Sequence, residues 1–289
     1  MRTEIIQASE LLQKNTPESV EEAIGLLQNT VFSFSMKMCG HRQDAEDTMQ
    51  EVLFRSLKYL AKLEGPNALA AWLYTVTRNR CHRMRRGHLE GNGKKLSLDE
   101  LIPDDEELRR LLVAAEGGPE RDAIQAEQHH LLHAAVLRLP TPLRIVLVLH
   151  DMEELSSEDI AKILELQIGT VRVRLHRARL AVRREMAGLL KGMPEKKPTE
   201  NTTPTQRPRE CRELFANLSE YLDTRVDPHT CEQMRAHIEK CPACVAFLKD
   251  LRAAIDRCRS LEVACDPGVA QRMRAMMTQE YLRLMGDPL

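Results

Sequence analysis

Aromatic residues are scarce in this chain, since only 3% of its 289 residues are Phe, Trp or Tyr and one is Trp. β-Sandwiches and β-barrels draw on aromatic and β-branched residues, so this composition argues against them. Glycine and proline are also few, at 13 and 14 residues. Long charged segments with few helix breakers are typical of helices, and the sequence therefore predicts an all-α fold.

Long hydrophobic runs are absent too, because no run approaches the roughly 20 apolar residues that a membrane-spanning helix needs. The N-terminal residues MRTEIIQASELLQ lack the basic and then apolar pattern of a secretory signal. We therefore expect a cytoplasmic protein with no membrane partner. In that compartment the eight cysteines are expected as metal ligands, redox thiols or core residues rather than disulfides.

The net charge is only −1, yet the charges are distributed unevenly. Residues 99–122 are rich in acids, whereas residues 168–184, IGTVRVRLHRARLAVRR, contain six arginines and no acid. Gly169 and Thr170 predict a turn followed by a helix N-cap. Apolar residues then recur at helical spacing on one face, at Val171, Leu175, Ala178 and Val182. A solvated surface helix is the alternative interpretation.

The residues before this basic helix favour a helix-turn-helix. Ser156 and Asp159 have capping-box spacing for a helix through Leu164, and residues 165–168 form the turn. In a helix-turn-helix the second helix enters the major groove of DNA. The candidates for DNA contact are Thr170, Arg172, Arg174, His176, Arg177 and Arg179.

The string LPTPLRIVLVLHDMEELSSEDIAKILELQIGTVRVRLHRARLAVRR resembles region 4 of a family of transcription factors. These are the extracytoplasmic-function (ECF) group of bacterial RNA polymerase sigma factors. The resemblance implies that this segment reads the −35 promoter element and binds the polymerase flap. Relatives usually carry Ser where this chain has Val173.

Two upstream strings resemble region 2 of the same group. Residues 20–40 predict a helix ended by Gly40, and Asp44 is expected to cap the next helix. This helix begins DAEDTMQEVLFRSL, and a third helix contains WLYTVTRNRCHRMRR. The resemblance implies docking on a coiled coil of the largest polymerase subunit through Asp44, Glu46, Asp47 and Gln50. It also implies that residues 61–86 bind and melt the −10 element, with candidates Trp72, Asn79, Arg80, Arg83 and Arg86.

Alternatives stay open for this region, because Trp72 also fits a core position and Asp47 and Gln50 also fit a solvated helix face. Arg83 stands where many relatives carry Asp. We expect this difference from the relatives to affect how the basic helix is anchored and which −10 sequence the helix prefers.

Cysteines cluster near the C-terminus. His237, Cys241 and Cys244 have the spacing H-x3-C-x2-C, and a closed tetrahedral zinc site needs a fourth ligand. Cys211 and Cys231 compete for that place. The strings CRELFANLSEYLD and HIEKCPACVAFLKDL resemble the zinc-binding anti-sigma domain, which implies one Zn²⁺ held by Cys211 and the three clustered ligands.

Six segments are predicted. They are a region 2 domain (1–89), a flexible linker (90–125), a region 4 domain (126–190), a disordered linker (191–209), a zinc-binding domain (210–260) and a C-terminal helix (261–289). The C-terminal helix either packs on a sigma domain or closes the core of the zinc-binding domain.

The resemblance implies a non-enzymatic protein that gives core RNA polymerase its choice of promoter. Its partners are core polymerase, promoter DNA and its own C-terminal domain, which tunes it in cis in response to metal or thiol chemistry. A separate anti-sigma factor is an open further partner. The alternatives are a DNA-binding regulator that acts without polymerase and a metal- or thiol-sensing scaffold with secondary DNA binding.

Overall fold

The computed structural model describes residues 1–60, 62–85, 124–190, 218, 220–223, 228–261 and 263–286. These residues form helices α1 (Thr3–Lys14), α2 (Pro17–Cys39), α3 (Arg42–Leu60), α4 (Gly65–Arg85), α5 (Ile124–Arg138), α6 (Thr141–Leu147), α7 (Ser157–Leu164), α8 (Ile168–Leu190), α9 (Pro228–Ile238), α10 (Pro242–Arg259) and α11 (Pro267–Gly286). A π-helical turn, Val148–Met152, follows α6. No strand occurs among the described residues, and the all-α prediction is confirmed. No helix in these ranges is long and apolar enough to cross a bilayer.

Local sequence explains several helix ends. The α2 helix begins at a capping box, in which Thr16 Oγ1 accepts from the Ser19 amide at 3.2 Å and Ser19 Oγ accepts from the Thr16 amide at 3.0 Å. Gly40 ends the same helix at a φ of 79°, as predicted. The predicted cap at Ser156 is also confirmed, because its hydroxyl accepts from the Asp159 amide at 3.1 Å.

Two predicted caps are wrong. Helix α8 begins at Ile168, so Gly169 and Thr170 lie inside its first turn rather than before it. The reason is that Glu165, at a φ of 55°, already ends α7 in the left-handed conformation and reverses the chain early. Asp44 likewise lies within the first turn of α3. There its carboxylate interacts favourably with the helix dipole, but it does not cap the helix.

The helical segment from Thr141 to Met152 changes its geometry partway. It ends as an α-helix at Leu147 and continues as the π-helical turn, where the Glu153 amide donates to the Val148 carbonyl at 2.9 Å. Glu153 follows this turn and is fully buried. A π-helical turn changes the direction of the side chains that follow it. Here the first of these is the buried Glu153.

The described contacts form two compact units. The first comprises the described parts of Met1–Asn92, Val148–Ile168 and Glu262–Leu289, and the second those of Gly93–Leu147 and Gly169–Leu261. In the first unit α2 packs against α1 and α3, and α4 packs against α1, α3 and α7. The six predicted segments describe sequence domains, and their boundaries remain a prediction.

The C-terminal helix α11 belongs to the first unit and packs on α2 and α3. Gln28 Nε2 donates to the Ala270 carbonyl at 3.0 Å. Gly25 permits close approach, because a Cβ at that position would lie 2.9 Å from Arg274 Nε. Met277 and Tyr281 are buried. Of the two options open for this segment, α11 therefore takes the one in which it packs on the region that resembles sigma region 2.

A buried ionic network joins three parts of the first unit around Glu153. Lys37 Nζ of α2 lies 2.9 Å from Glu153 Oε1, and both side chains are fully buried. The Tyr74 hydroxyl of α4 donates to Glu153 Oε2 at 2.7 Å. Burial and then the Glu153 carboxylate raise the pKa of Tyr74 well above its usual range, so the phenol stays protonated. Arg2 Nε lies 3.3 Å from the same carboxylate.

Replacing Glu153 by Gln is expected to destabilise the full chain by about 3–5 kcal/mol, because Lys37 then keeps a buried charge whose carboxylate is gone. The measurement is the midpoint and slope of urea unfolding. E154Q is the matched control, since Glu154 is the exposed neighbour of the same residue type. Equal midpoints for the two variants would contradict the role given to the network.

Candidate DNA, polymerase and metal sites

The two halves of α8 have different surroundings. In the first half Gly169, Val173 and Arg177 are exposed and follow one another at intervals of four residues, so they form one ridge of the helix. In the second half most residues are buried, including Arg179 and Arg183. The first half of the basic helix therefore has one solvent-exposed ridge, whereas most side chains of its second half are buried.

Arg179 makes a bidentate ion pair with Asp223. Its Nη1 atom lies 2.9 Å from Oδ2 and its Nη2 atom lies 2.9 Å from Oδ1 of that carboxylate. The Arg179 side chain is 0% exposed and that of Asp223 is 13% exposed. Bidentate charge-assisted pairs are among the strongest and most directional contacts between side chains.

Arg183, one turn further along α8, pairs with α10. Its Nε lies 2.9 Å from Asp250 Oδ2, and its guanidinium carbon lies 4.7 Å from the centroid of the Phe247 ring. Burial raises the pKa of Asp250, and Arg183 opposes this shift. The second half of α8 thus directs two arginines at acids that belong to the C-terminal part of the chain.

His176 is buried between these two halves. Burial, followed by the charges of Arg179 and Arg177, lowers its pKa to about 4. The imidazole is therefore neutral at physiological pH and adds no positive charge to the helix surface. His176 lies on the inner side of α8.

The remaining α8 candidates are more accessible. Thr170, Arg172 and Arg174 are partly exposed and Arg177 is exposed. All six α8 residues stay candidates for DNA contact, but His176 and Arg179 are covered in this arrangement.

Helix α4 carries the other predicted DNA residues. Trp72 is partly exposed; its Nε1 donates to Ser56 Oγ at 3.3 Å, and its ring centroid lies 4.6 Å from that of Tyr59. The indole thus donates a hydrogen bond within the domain and is still partly exposed. The core and binding interpretations of Trp72 are therefore compatible.

The basic end of α4 is partly described. Asn79 is exposed, and its Oδ1 accepts from Arg78 Nε at 3.1 Å. Arg80 Nε lies 2.6 Å from Glu51 Oε2 of α3. The Arg83 side chain and Arg86 lie outside the described residues.

The outer face of α3 carries the predicted polymerase contacts. Asp47 and Gln50 are exposed, whereas Asp44 and Glu46 are partly buried. Phe54 is 55% exposed and lies four residues after Gln50, on the same face. Sequence reasoning missed Phe54, although a large apolar residue off the core positions of this helix was a readable signal.

Three of the four predicted zinc ligands are described and lie together. The ligand atoms of His237, Cys241 and Cys244 are all within 4.8 Å of one another, and His237 Nε2 is 3.3 Å from Cys244 Sγ. His237 is in the last turn of α9 and Cys241 precedes α10, so a short connection brings the donors together. Imidazole and thiolate donors fit Zn²⁺, which would cross-link the two helices.

A closed zinc site takes its fourth ligand from outside this cluster. Cys211 lies outside the described residues, and Cys231, which is described, is not part of the group. Loss of a residue that only supports a metal ligand weakens binding roughly 10–100-fold. We expect C211S to weaken zinc binding by more than this, because it removes a ligand. We expect C231S to bind zinc like the wild type. Competition with a chromogenic chelator measures the affinity. Loss of zinc from C231S but not C211S would reverse the assignment.

Three protein families match this chain. The Sigma-70 region 2 family matches residues 24–89, the Sigma-70 region 4 family matches residues 129–182, and a zinc-finger family matches residues 211–244. The zinc-finger match begins at Cys211 and ends at Cys244.

Individual relatives agree with the family matches. The chain is 27% identical over 187 residues to RNA polymerase sigma-H factor of Pseudomonas aeruginosa, covering 64% of this chain and 95% of that protein. It is 26% identical to ECF RNA polymerase sigma factor SigW of Bacillus subtilis, covering 62% and 94%. It is 30% identical to ECF RNA polymerase sigma factor SigE of Mycolicibacterium smegmatis, covering 58% and 62%. These relatives are transcription initiation factors rather than enzymes, in agreement with the sequence prediction. The chain is thus similar to ECF sigma factors, and it matches sigma-70 regions 2 and 4 followed by a zinc-finger family.

Proposed function

We propose that this protein directs core RNA polymerase to specific promoters in the cytoplasm and that its C-terminal domain restrains it in cis. The presence of both sigma-70 regions on one chain carries the first part. The ion pair between Arg179 and Asp223 is the observation that carries the second.

Polymerase docking is assigned to the outer face of α3. Asp47, Gln50 and Phe54 offer two polar side chains and one aromatic side chain to a partner, and Asp44 and Glu46 complete the predicted set. An exposed aromatic ring beside polar groups is the composition of a binding hot spot. A DNA-binding regulator that acts without polymerase has no use for this face.

Promoter binding is assigned to two helices. At the −10 element α4 supplies Trp72, Asn79, Arg80, Arg83 and Arg86, through stacking, base-edge contact and phosphate neutralisation. At the −35 element α8 supplies Thr170, Arg172, Arg174, His176, Arg177 and Arg179. Arginine pairs with guanine O6 and N7 or with phosphates, and the second half of α8 must be uncovered before Arg179 takes part.

Restraint in cis follows from charge. Asp223 and Asp250 bind the guanidinium groups of Arg179 and Arg183 and so compete with a polyanion for them. Because these acids are tethered to region 4 by residues 191–209, their effective concentration is high and weak contacts suffice. Helix α11, packed on α2 and α3, is a second attachment of the C-terminal part.

One Zn²⁺, held by His237, Cys241, Cys244 and Cys211, would stabilise the segment that carries Asp250. Thiolate ligation makes such a site sensitive to competing metals, acid and oxidants. A metal or thiol signal that loosens the site would release α8. A separate anti-sigma factor is not required by this arrangement.

Run-off transcription tests the proposal. Full-length protein and core polymerase are supplied with genomic fragments, with and without zinc chelation. We expect discrete start sites that share −10 and −35 elements, and more transcript from metal-free protein. Retention of DNA without any transcript would favour the polymerase-independent regulator. Equal transcript with and without metal would contradict metal-dependent restraint.

A further inference from the structure

Val173 is an exposed apolar residue in a basic setting. Its side chain is 53% exposed, whereas the core face of α8 contains the buried Val171 and Leu175. Single exposed apolar residues are common on protein surfaces. Val173, however, lies between Arg172 and Arg174 on the ridge that also contains Arg177.

The ridge around Val173 is open. Among the described residues, no atom would lie within 4 Å of a Cβ added at Gly169, one turn before Val173 on the same ridge. The second half of α8 is instead covered, with Arg179 paired to Asp223. Since residues near the N-terminus of a recognition helix contact base edges, the open first half is the part of α8 suited to enter a groove.

We propose that Val173 reads a thymine in the −35 element through its C5-methyl group, an inference that rests on the proposed function of α8. A valine side chain has no hydrogen-bonding group, so it cannot read a donor or acceptor. In the major groove thymine is the base that presents a methyl group, and apolar side chains recognise it. The neighbouring arginines supply the attraction to phosphates, and Val173 supplies discrimination at one base pair.

The test removes the methyl group from the DNA. Each thymine of the −35 element, on either strand, is replaced singly by deoxyuridine, and run-off transcription by the full-length protein with core polymerase is measured. Burial of one methyl group is worth about 0.8 kcal/mol, which is about fourfold. We therefore expect one position at which deoxyuridine lowers transcription by about fourfold.

Variants of Val173 assign this effect to the side chain. V173S, whose side chain has no methyl group, is expected to transcribe the thymine and deoxyuridine templates equally at that position, whereas V173T, which keeps one methyl group, retains a preference. Wild-type protein that is indifferent to deoxyuridine at every −35 position would overturn the inference while leaving the proposed function intact. Persistence of the preference in V173S would overturn it too. Absence of any promoter-directed transcript would overturn both the inference and the proposed function.

Discussion

The substitution D223N is expected to raise promoter-directed transcription by the full-length protein at least tenfold. The variant keeps the shape of the side chain but removes the carboxylate that binds Arg179 through two contacts of 2.9 Å. Removal of one partner from a buried ion pair costs the closed arrangement about 3–5 kcal/mol. Since about 1.4 kcal/mol is a factor of ten, the population with an uncovered α8 rises strongly. Initial rates of run-off transcription at limiting protein measure the change.

Two comparisons make this experiment specific. D256N is the control, because Asp256 lies on α10 like Asp250 but is 59% exposed and pairs with Arg259 at 3.6 Å. D250N is expected to give a smaller gain than D223N, because Asp250 is 32% exposed and its pair with Arg183 is better solvated. A D223N protein that keeps its helicity and its zinc but shows unchanged or lower transcription would contradict restraint by this pair.

The substitution F54A is expected to weaken binding to core polymerase by about 30-fold or more. Phe54 is 55% exposed in the free chain, so its removal costs little in folding. Aromatic residues at the centre of an interface are typically worth at least about 2 kcal/mol of binding free energy. The dissociation constant is measured by titrating fluorescently labelled full-length protein with core polymerase.

The matched control for F54A is M276A. Met276 is also a large apolar residue of the first unit, 45% exposed, but it lies on α11. We expect M276A to bind core polymerase like the wild type. Equal dissociation constants for F54A and the wild type would remove Phe54 from the docking face and leave only the polar residues of α3.

Local patterns predicted much of the fold. The capping residues Ser156 and Gly40 follow from local side-chain chemistry. The zinc cluster was predictable for the same reason, because His237, Cys241 and Cys244 lie within one turn of helix and one short connection. The fourth ligand depends on where the fold places a segment that is distant in sequence from the other three. Spacing alone therefore leaves both Cys211 and Cys231 as candidates.

Long-range pairs explain what the sequence did not reveal. Arg179 and Asp223 are 44 residues apart, and Lys37 and Glu153 are 116 residues apart. Isolated charges of this kind are expected on the surface, so burial is not predicted unless the partner is known. Helix α1 is not predicted by the motifs of the sequence. The charge of Arg179 favours DNA contact, but it does not reveal the Asp223 carboxylate that covers this side chain.

The most direct test of restraint in cis is the salt dependence of binding to a −35 duplex by the zinc-loaded full-length protein. Wild type is compared with the D223N/D250N double variant, which releases two arginines of α8. Each additional phosphate neutralised by an arginine steepens the slope of log K against log salt concentration by about 0.9. We predict that the double variant binds at least tenfold tighter, with a slope about 1.8 more negative. Identical affinities and slopes would contradict the account, because Arg179 and Arg183 would then be equally available in both proteins.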